Sequence, residues 1–391
     1  MSKRELVKPK YEIVGELERI DRADTVMARR HLIPDSELWQ SYYRKHPDLE
    51  AQSRKWADLQ KSRKHRLRIA PQDELMENAM RFIPNVMAKE EYVDGEPAPE
   101  KIVIDPKRAS SKIKGFARHL GADLVKIGPF NPSWTYKNIS SPDHSGNPSD
   151  IPAHPPNKHA IVVAIAYKQD EIECAPRFTI ALATGAIYLR LSTIVVTLAR
   201  YIRSLGYEAR AHNHNSQVLH VPLAIDAGFG ELARNGIFIT KEYGSAIKPM
   251  TVTTDMPLVY DRPVDIGVDE FCSQCNICVK YCPAGAIHIG EKKTIRGVKK
   301  WPLNASACFE YFLRSGANCS LCVAYCPWTR PRTFPHNFII KAFERSNIAR
   351  KSYLKVASLL YRKKKMKIPS WQEEQPEEWR KVMKPNHPLY R

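Results

Sequence analysis

Eight of the nine cysteines in this 391-residue chain fall between Phe271 and Trp328. Cys272, Cys275, Cys278 and Cys282 follow the spacing C-x2-C-x2-C-x3-C and precede Pro283. Cys308, Cys319, Cys322 and Cys326 follow C-x10-C-x2-C-x3-C and precede Pro327. Three thiolates within seven residues let one tight loop wrap three corners of an inorganic cube. The fourth cysteine of each set is carried away from that loop by the start of a short helix.

In two-cluster ferredoxins that fourth cysteine ligates the other cube. The spacing therefore predicts one 4Fe-4S cluster on Cys272, Cys275, Cys278 and Cys326, and a second on Cys282, Cys308, Cys319 and Cys322. The ten-residue gap after Cys308 departs from the plain repeat, which makes Cys308 the least secure ligand. A disulfide framework suits a small secreted chain, and this chain is long. Structural zinc prefers paired C-x2-C units without the C-x3-C-P ending.

The length leaves room for two or three cores, and a hydrophobic content of 43% predicts a folded globular chain. A formal charge of +19 favours acidic partners: nucleic acid, an anionic membrane face, an acidic electron carrier or a phosphate-bearing cofactor. A solvated basic surface would give the same number. No apolar run is expected to reach bilayer-spanning length. The opening residues carry charges without an apolar segment, and Arg29–Arg30 is not followed by a twin-arginine context. With thiolate-rich clusters, this predicts a cytoplasmic protein.

Residues 1–100 are polar and charged, with Trp39, Tyr42, Tyr43 and Trp56 set among Arg and Lys. They are expected to wrap the surface, with a helix over 51–68. Such interleaving fits nucleic-acid binding or a solvated helix face with its aromatics turned inward. From 101 the texture changes. A helix ending near Gly121 leads into a strand; 159–168 is a continuous apolar run; 176–207 reads as a long buried helix bounded by Pro176 and Gly206. Residues 236–240 and 250–258 read as further strands. The expected class is α/β (α+β), over 101–265, followed by the cysteine segment at 266–335. Residues 336–391 predict a basic amphipathic extension, with Phe338, Ile339, Phe343, Ile348, Val356 and Leu360 on one face. It would suit peripheral membrane contact or ordinary packing.

A pure ferredoxin needs only the cysteine segment, so the preceding domain is where the electrons are expected to be used. The order GADLVKIGPFNPSWTY, an apolar strand, a long helix with Tyr188, YIRSLGYEA, VPLAIDAGFGELARNGIFIT, EYGSAIKPMTVTTDMPL and two C-P motifs resembles a reductive dehalogenase. The opening YEIVGELERIDRADTVMARR is loosely similar to the mature start of that family. The resemblance implies a nitroreductase-like corrinoid-binding domain followed by a bacterial two-cluster ferredoxin-like domain. It implies two 4Fe-4S clusters feeding electrons to a Co(I) corrinoid (cobalamin), and loss of halogen from a small organohalide.

By the same resemblance Tyr188 matches the family's proton donor and Lys248 the basic residue beside it. A phenol holds its proton until about pH 10, and a nearby ammonium stabilises the phenolate left behind. Asn213 and Asn215 fall where the family lines the pocket. Gly228, Gly230, Arg234 and Gly236 would bring backbone close to the corrinoid tail, or serve as turn residues. Met27 corresponds to the pocket mouth. His212 and His214 are two histidines without a third and make a weak metal motif.

The chain departs from the family in lacking a twin-arginine signal and an appended flavin and plant-type ferredoxin module; it also has no D-x-H-x-x-G segment, and the family likewise binds its corrinoid without a protein ligand below cobalt. Electrons are therefore expected from a separate ferredoxin- or flavodoxin-type donor. The rival enzyme, epoxyqueuosine reductase, shares the clusters and would explain the charge through tRNA. It carries a catalytic aspartate where this chain has His214, so no nucleic-acid partner is expected. A third class is an electron-transfer or corrinoid-binding protein without turnover.

Overall fold

The computed structural model describes residues 11–61, 71–139, 149–150, 157–214, 216–315 and 318–329, with isolated positions from 338 to 372. Asn215 and most of the basic extension at 336–391 lie outside the described residues.

The N-terminal region is a strap. It contains β1 (Glu12–Ile13), α1 (Val26–Arg29), α2 (Glu37–Lys45), α3 (Pro47–Lys61), α4 (Pro71–Val86) and α5 (Glu90–Val93). Its aromatics turn inward: Trp39, Tyr43 and Trp56 are buried. Of the two sequence readings, the inward-facing one describes these helices. The Trp39 indole donates to Glu50 at 3.0 Å, so its one polar atom is satisfied.

The second region holds α6 (Pro106–His119), β2 (Leu124–Pro129), β3 (Asn138–Ile139), β4 (Ser149–Asp150) and β5 (His159–Ala166). Next come α7 (Gln169–Glu173), α8 (Thr179–Ser204), β6 (Ala209–His212), α9 (His220–Asp226), β7 (Gly230–Leu232), β8 (Phe238–Thr240) and β9 (Ile247–Thr254). The main sheet has the order β2-β5-β9-β6, and every pairing in it is antiparallel. The architecture is thus the α+β form of the expected class.

The apolar run of β5 is explained by its position. Ile161, Val163 and Ile165 face a core built with α6 and α8, while Ala160, Val162 and Ala164 face another built with α9. A strand covered on both faces has no polar side to show. α8 runs 26 residues and ends at Gly206, whose φ is +84°. A Cβ there would meet the Glu100 carbonyl oxygen at 2.4 Å, so glycine serves both the left-handed stop and the close approach. Contrary to the sequence expectation, α8 is long and apolar enough by composition to cross a bilayer. Here that apolar surface is covered by the sheet, by α6 and by α4, whose Met80 approaches Gly185.

The cysteine segment contains α10 (Val268–Gln274), α11 (Ile277–Lys280), β10 (Lys293–Ile295), β11 (Val298–Lys300), α12 (Ala305–Ser315) and α13 (Leu321–Ala324). The ten residues between Cys308 and Cys319 are largely α12, which carries Cys308 in its first turn. Tyr281 and Tyr325 each precede a C-P pair, and their rings stack at 3.8 Å and 4°. The strap is stitched to this segment at several points. β1 pairs with β11, and Trp56 meets Phe309 edge-on at 4.9 Å.

Trp56→Ala empties the joint between α3 and α12. The expected loss is about 3–5 kcal/mol, read from chemical denaturation, with the strap becoming more sensitive to protease than the main sheet.

Candidate active site

Three tyrosine- and lysine-bearing elements meet beside α8. Tyr188 lies on α8, Lys248 on β9 opposite Ile165 of β5, and Tyr167 just beyond the end of β5. The Lys248 Nζ lies 5.2 Å from the centre of the Tyr188 ring and 5.9 Å from that of Tyr167. Burial works to lower its pKa, but the oxygens of Tyr167 and Tyr188 outweigh burial, and the net shift is upward. The ammonium therefore stays charged and paired. The Thr184 hydroxyl donates to the Ile180 carbonyl at 2.7 Å, so Tyr167 donates its own proton to Thr184, also at 2.7 Å. That leaves the lone pairs of Tyr167 for Lys248.

Two histidines flank this group. The His214 ring lies 6.3 Å from Tyr188, and its Nε2 bonds Asn85 Oδ1 at 3.0 Å. Crowding by protein, then Arg81 and Arg22, push its pKa down to about 4. His220 bonds the Asn213 carbonyl through Nε2 at 3.2 Å and Thr251 Oγ1 through Nδ1 at 3.0 Å. A carbonyl only accepts, so Nε2 carries the proton and Nδ1 accepts from threonine. Burial pushes His220 down to about 4, against the Asn213 carbonyl. Both rings are neutral at ordinary pH.

Tyr188, Lys248, His214 and His220 open onto a cavity of about 1470 Å³. Ordinary ligand pockets run to roughly 300–1,000 Å³, so this one suits a group larger than a small substrate. Its walls come from all three regions: Met27 and Arg81 from the strap, Tyr188 and Lys248 from the sheet domain, Trp301 and Leu303 from the cysteine segment. Trp301 and Ala233, also in the wall, pack with Cys272, Cys275 and Cys326.

The residues singled out by sequence divide. Tyr188, Lys248, Met27 and Gly236 line the cavity. Asn213 is buried, donates to the Met87 carbonyl at 3.1 Å, and holds His220 through its own carbonyl. Gly228, Gly230 and Arg234 are not among the described lining residues, and they do other work. A Cβ on Gly228 would meet the Arg262 carbonyl oxygen at 2.0 Å, and one on Gly230 the Ile239 carbonyl oxygen at 1.8 Å. These are close backbone crossings within the fold. Arg234 points at the cysteine segment, donating to the Cys272 carbonyl. Tyr167, His220 and Arg81 were not singled out. Tyr167 sits at a strand end that reads as an ordinary boundary, and no spacing marked the other two.

The eight motif thiols fall into two groups. Burial first, then Cys326, Cys275 and Cys278, push the Cys272 thiol far up. Burial likewise lifts Cys275 and Cys278 to about 12, with Cys326 the first neighbouring thiol for each. On the other side, burial pushes Cys319 up to about 12, with Cys308 and Cys282 adding to it. Cys322 is raised by burial, then by Cys319, Cys278, Cys308 and Cys282, so the two groups adjoin at Cys278 and Cys322. Cys308 is the exposed member. Crowded buried thiols are poor hosts for charge on their own, and bound iron would supply the positive charge that lets them ionise.

Residues 271–330 match the family model described as a 4Fe-4S dicluster domain. Over 269 residues the sequence is 31% identical to the tetrachloroethene reductive dehalogenase of Sulfurospirillum multivorans, covering 60% of this chain and 52% of that protein. Over that stretch the chain is similar to a reductive dehalogenase. It spans about half the length of the curated dehalogenase, so the match is to part of that protein. A solved structure described as a reductive dehalogenase suggesting a mechanism for B12-dependent dehalogenation superposes with a TM-score of 0.75 at 24% identity. That likeness is one of fold and covers 91% of this chain and 48% of the other. A shorter similarity, 27% over 128 residues, relates the chain to epoxyqueuosine reductase of Lactococcus garvieae, covering 29% of this chain and 32% of that one.

The neutral histidines carry a pH signature. The unfolded chain protonates them near pH 6.5, while His214 and His220 in the folded protein wait until about 4. Their contribution to stability is complete above the unfolded pKa and declines as pH falls from about 6.5 toward 4. His220→Gln is expected to flatten that decline, measured as the urea midpoint across the same window.

Proposed function

We propose that the protein is a corrinoid-dependent reductive dehalogenase acting on a small organohalide. One observation carries the reading. A single large cavity has the Tyr188–Lys248 pair in its wall, and also Ala233 and Trp301, which pack against three cysteines of the dicluster domain. A redox group seated there would lie between a proton source and an electron source.

In this reading Cys272, Cys275, Cys278 and Cys326 hold one 4Fe-4S cluster, and Cys282, Cys308, Cys319 and Cys322 hold the other. The grouping of the thiols supports that division. A bound corrinoid would supply low-potential cobalt able to cleave a carbon–halogen bond reductively. The net change takes two electrons and one proton into the substrate and releases halide. The electrons come from a separate one-electron donor of the ferredoxin or flavodoxin type.

The chain's own residues handle the proton. Tyr188 Oη gives it to the carbon that loses halogen, and Lys248 stabilises the phenolate that remains. Tyr167 also holds the ammonium, keeping it near Tyr188 through both protonation states of the phenol. The neutral rings of His214 and His220 line the cavity without adding charge.

Purified holoprotein should contain about eight irons and one corrinoid. Tyr188→Phe is expected to keep both cofactors and to lose roughly 10²-fold or more of its halide release, tested on haloaromatics and haloalkenes with a chemical reductant. Release at the parent rate removes Tyr188 from the mechanism. Turnover of an epoxyqueuosine-bearing RNA without halide from any organohalide would select the second family's chemistry.

A further inference from the structure

The segment after α9 reaches α10 with two opposite charges three residues apart. Glu231 is fully buried. Its carboxylate accepts from the backbone amides of Ile266, Gly267, Val268 and Asp269 at 2.5, 2.9, 3.3 and 3.3 Å. These are the free N–H groups at the start of α10. Arg234, 2% exposed, takes the other end. Its Nε and Nη2 donate to the Cys272 carbonyl at 3.0 and 2.8 Å, and Nη2 to Ser273 at 3.4 Å. Its Nη1 donates to the carbonyls of His288, Ile289 and Gly290 at 3.0, 3.1 and 3.2 Å. The guanidinium also lies 4.7 Å from the centre of the Trp301 ring, in the cavity wall. An acid at the amide end and a base at the carbonyl end both complement the helix dipole.

We propose that Glu231 and Arg234 form a charge clamp that sets the reduction potential of the Cys272-bearing cluster as well as its position. α10 carries Cys272 directly and leads into Cys275. The Arg234 guanidinium is bonded to the Cys272 carbonyl, which places a fixed positive charge against the backbone that carries that thiol. Net charge and hydrogen bonds at the sulfurs are the levers by which a protein tunes such a cluster. Reduction adds one electron and no proton, so a fixed buried cation favours the reduced state and a fixed buried anion disfavours it. Lys292, the other cation on Trp301, is paired with Asp269 and is therefore a weaker lever. The inference rests on the dicluster domain and not on halogen removal.

The test is a potentiometric titration of the holoprotein followed by electron paramagnetic resonance, with iron content measured alongside. Two one-electron waves are expected. Arg234→Gln should move one wave to more negative potential, and Glu231→Gln should move the same wave to more positive potential. The second wave should stay in place in both variants. Arg234→Lys keeps the charge but loses the fork, so its wave should stay near the parent position while iron is released faster to a chelator. General loosening would move both waves, or move one wave the same way in both variants, and either result overturns the proposal. If Arg234→Gln does not retain iron, the other two variants decide: an unmoved wave in Glu231→Gln, or a wave in Arg234→Lys displaced as far as the loss of a charge would displace it, overturns it.

Discussion

Four ionised sulfurs within a few ångströms repel one another, and a low-dielectric surrounding magnifies that repulsion. The helices that carry the cysteines cannot resist it alone. α11 and α13 are single turns, and α10 has seven residues. The restraint comes from outside them. Glu231 and Arg234 hold both ends of α10, Phe271 meets Trp328 edge-on at 5.8 Å, and Tyr281 stacks on Tyr325. The cysteine segment is thus a cage held in shape by the domain before it, and iron would supply the charge that the cage is built to receive.

The cavity depends on the same dependence between parts. Its wall takes residues from the strap, the sheet domain and the cysteine segment, so each is needed to close it. The strap is fastened where closure requires it. Asp226, buried at the end of α9, accepts from both Tyr11 and the Trp134 indole. Burial pushes this carboxyl up, and the two hydrogen bonds oppose that shift. An unfastened strap would open the cavity to water beside Tyr188, where exclusion of water strengthens the Lys248 interaction.

Much of the fold was legible because burial leaves periodic traces. The unbroken apolar run at 159–166 marked a strand covered on both faces, and the stretch ending at Gly206 marked α8. In the strap the helix expected over 51–68 corresponds to α3, whereas α2 and α4 were not expected. For AGFGELARNG the sequence left pocket and turn readings open, and the structure divides them, with Gly236 in the cavity wall. Turn glycines beside a basic residue look alike whether they face a cofactor or a neighbouring strand. Here Gly228 and Gly230 face backbone, and Arg234 faces Cys272. α8 is shorter than the helix expected over 176–207, yet by length and composition it could cross a bilayer, which the sequence reading had not expected of any run. Tyr167 escaped notice because its role depends on Lys248, 81 positions away in the chain yet close to it where β5 and β9 pair.

The sequence by itself determined what the cysteines can hold, because ligand spacing within one loop is a local matter. It also determined where the buried strand and helix lie, since apolar periodicity is read along the chain. Tertiary structure decided which charges cap α10 and which face of α8 meets Lys248. Those are distances between residues far apart in sequence. Electrostatic and hydrogen-bond energies depend on separation in space, and only the packed chain specifies it.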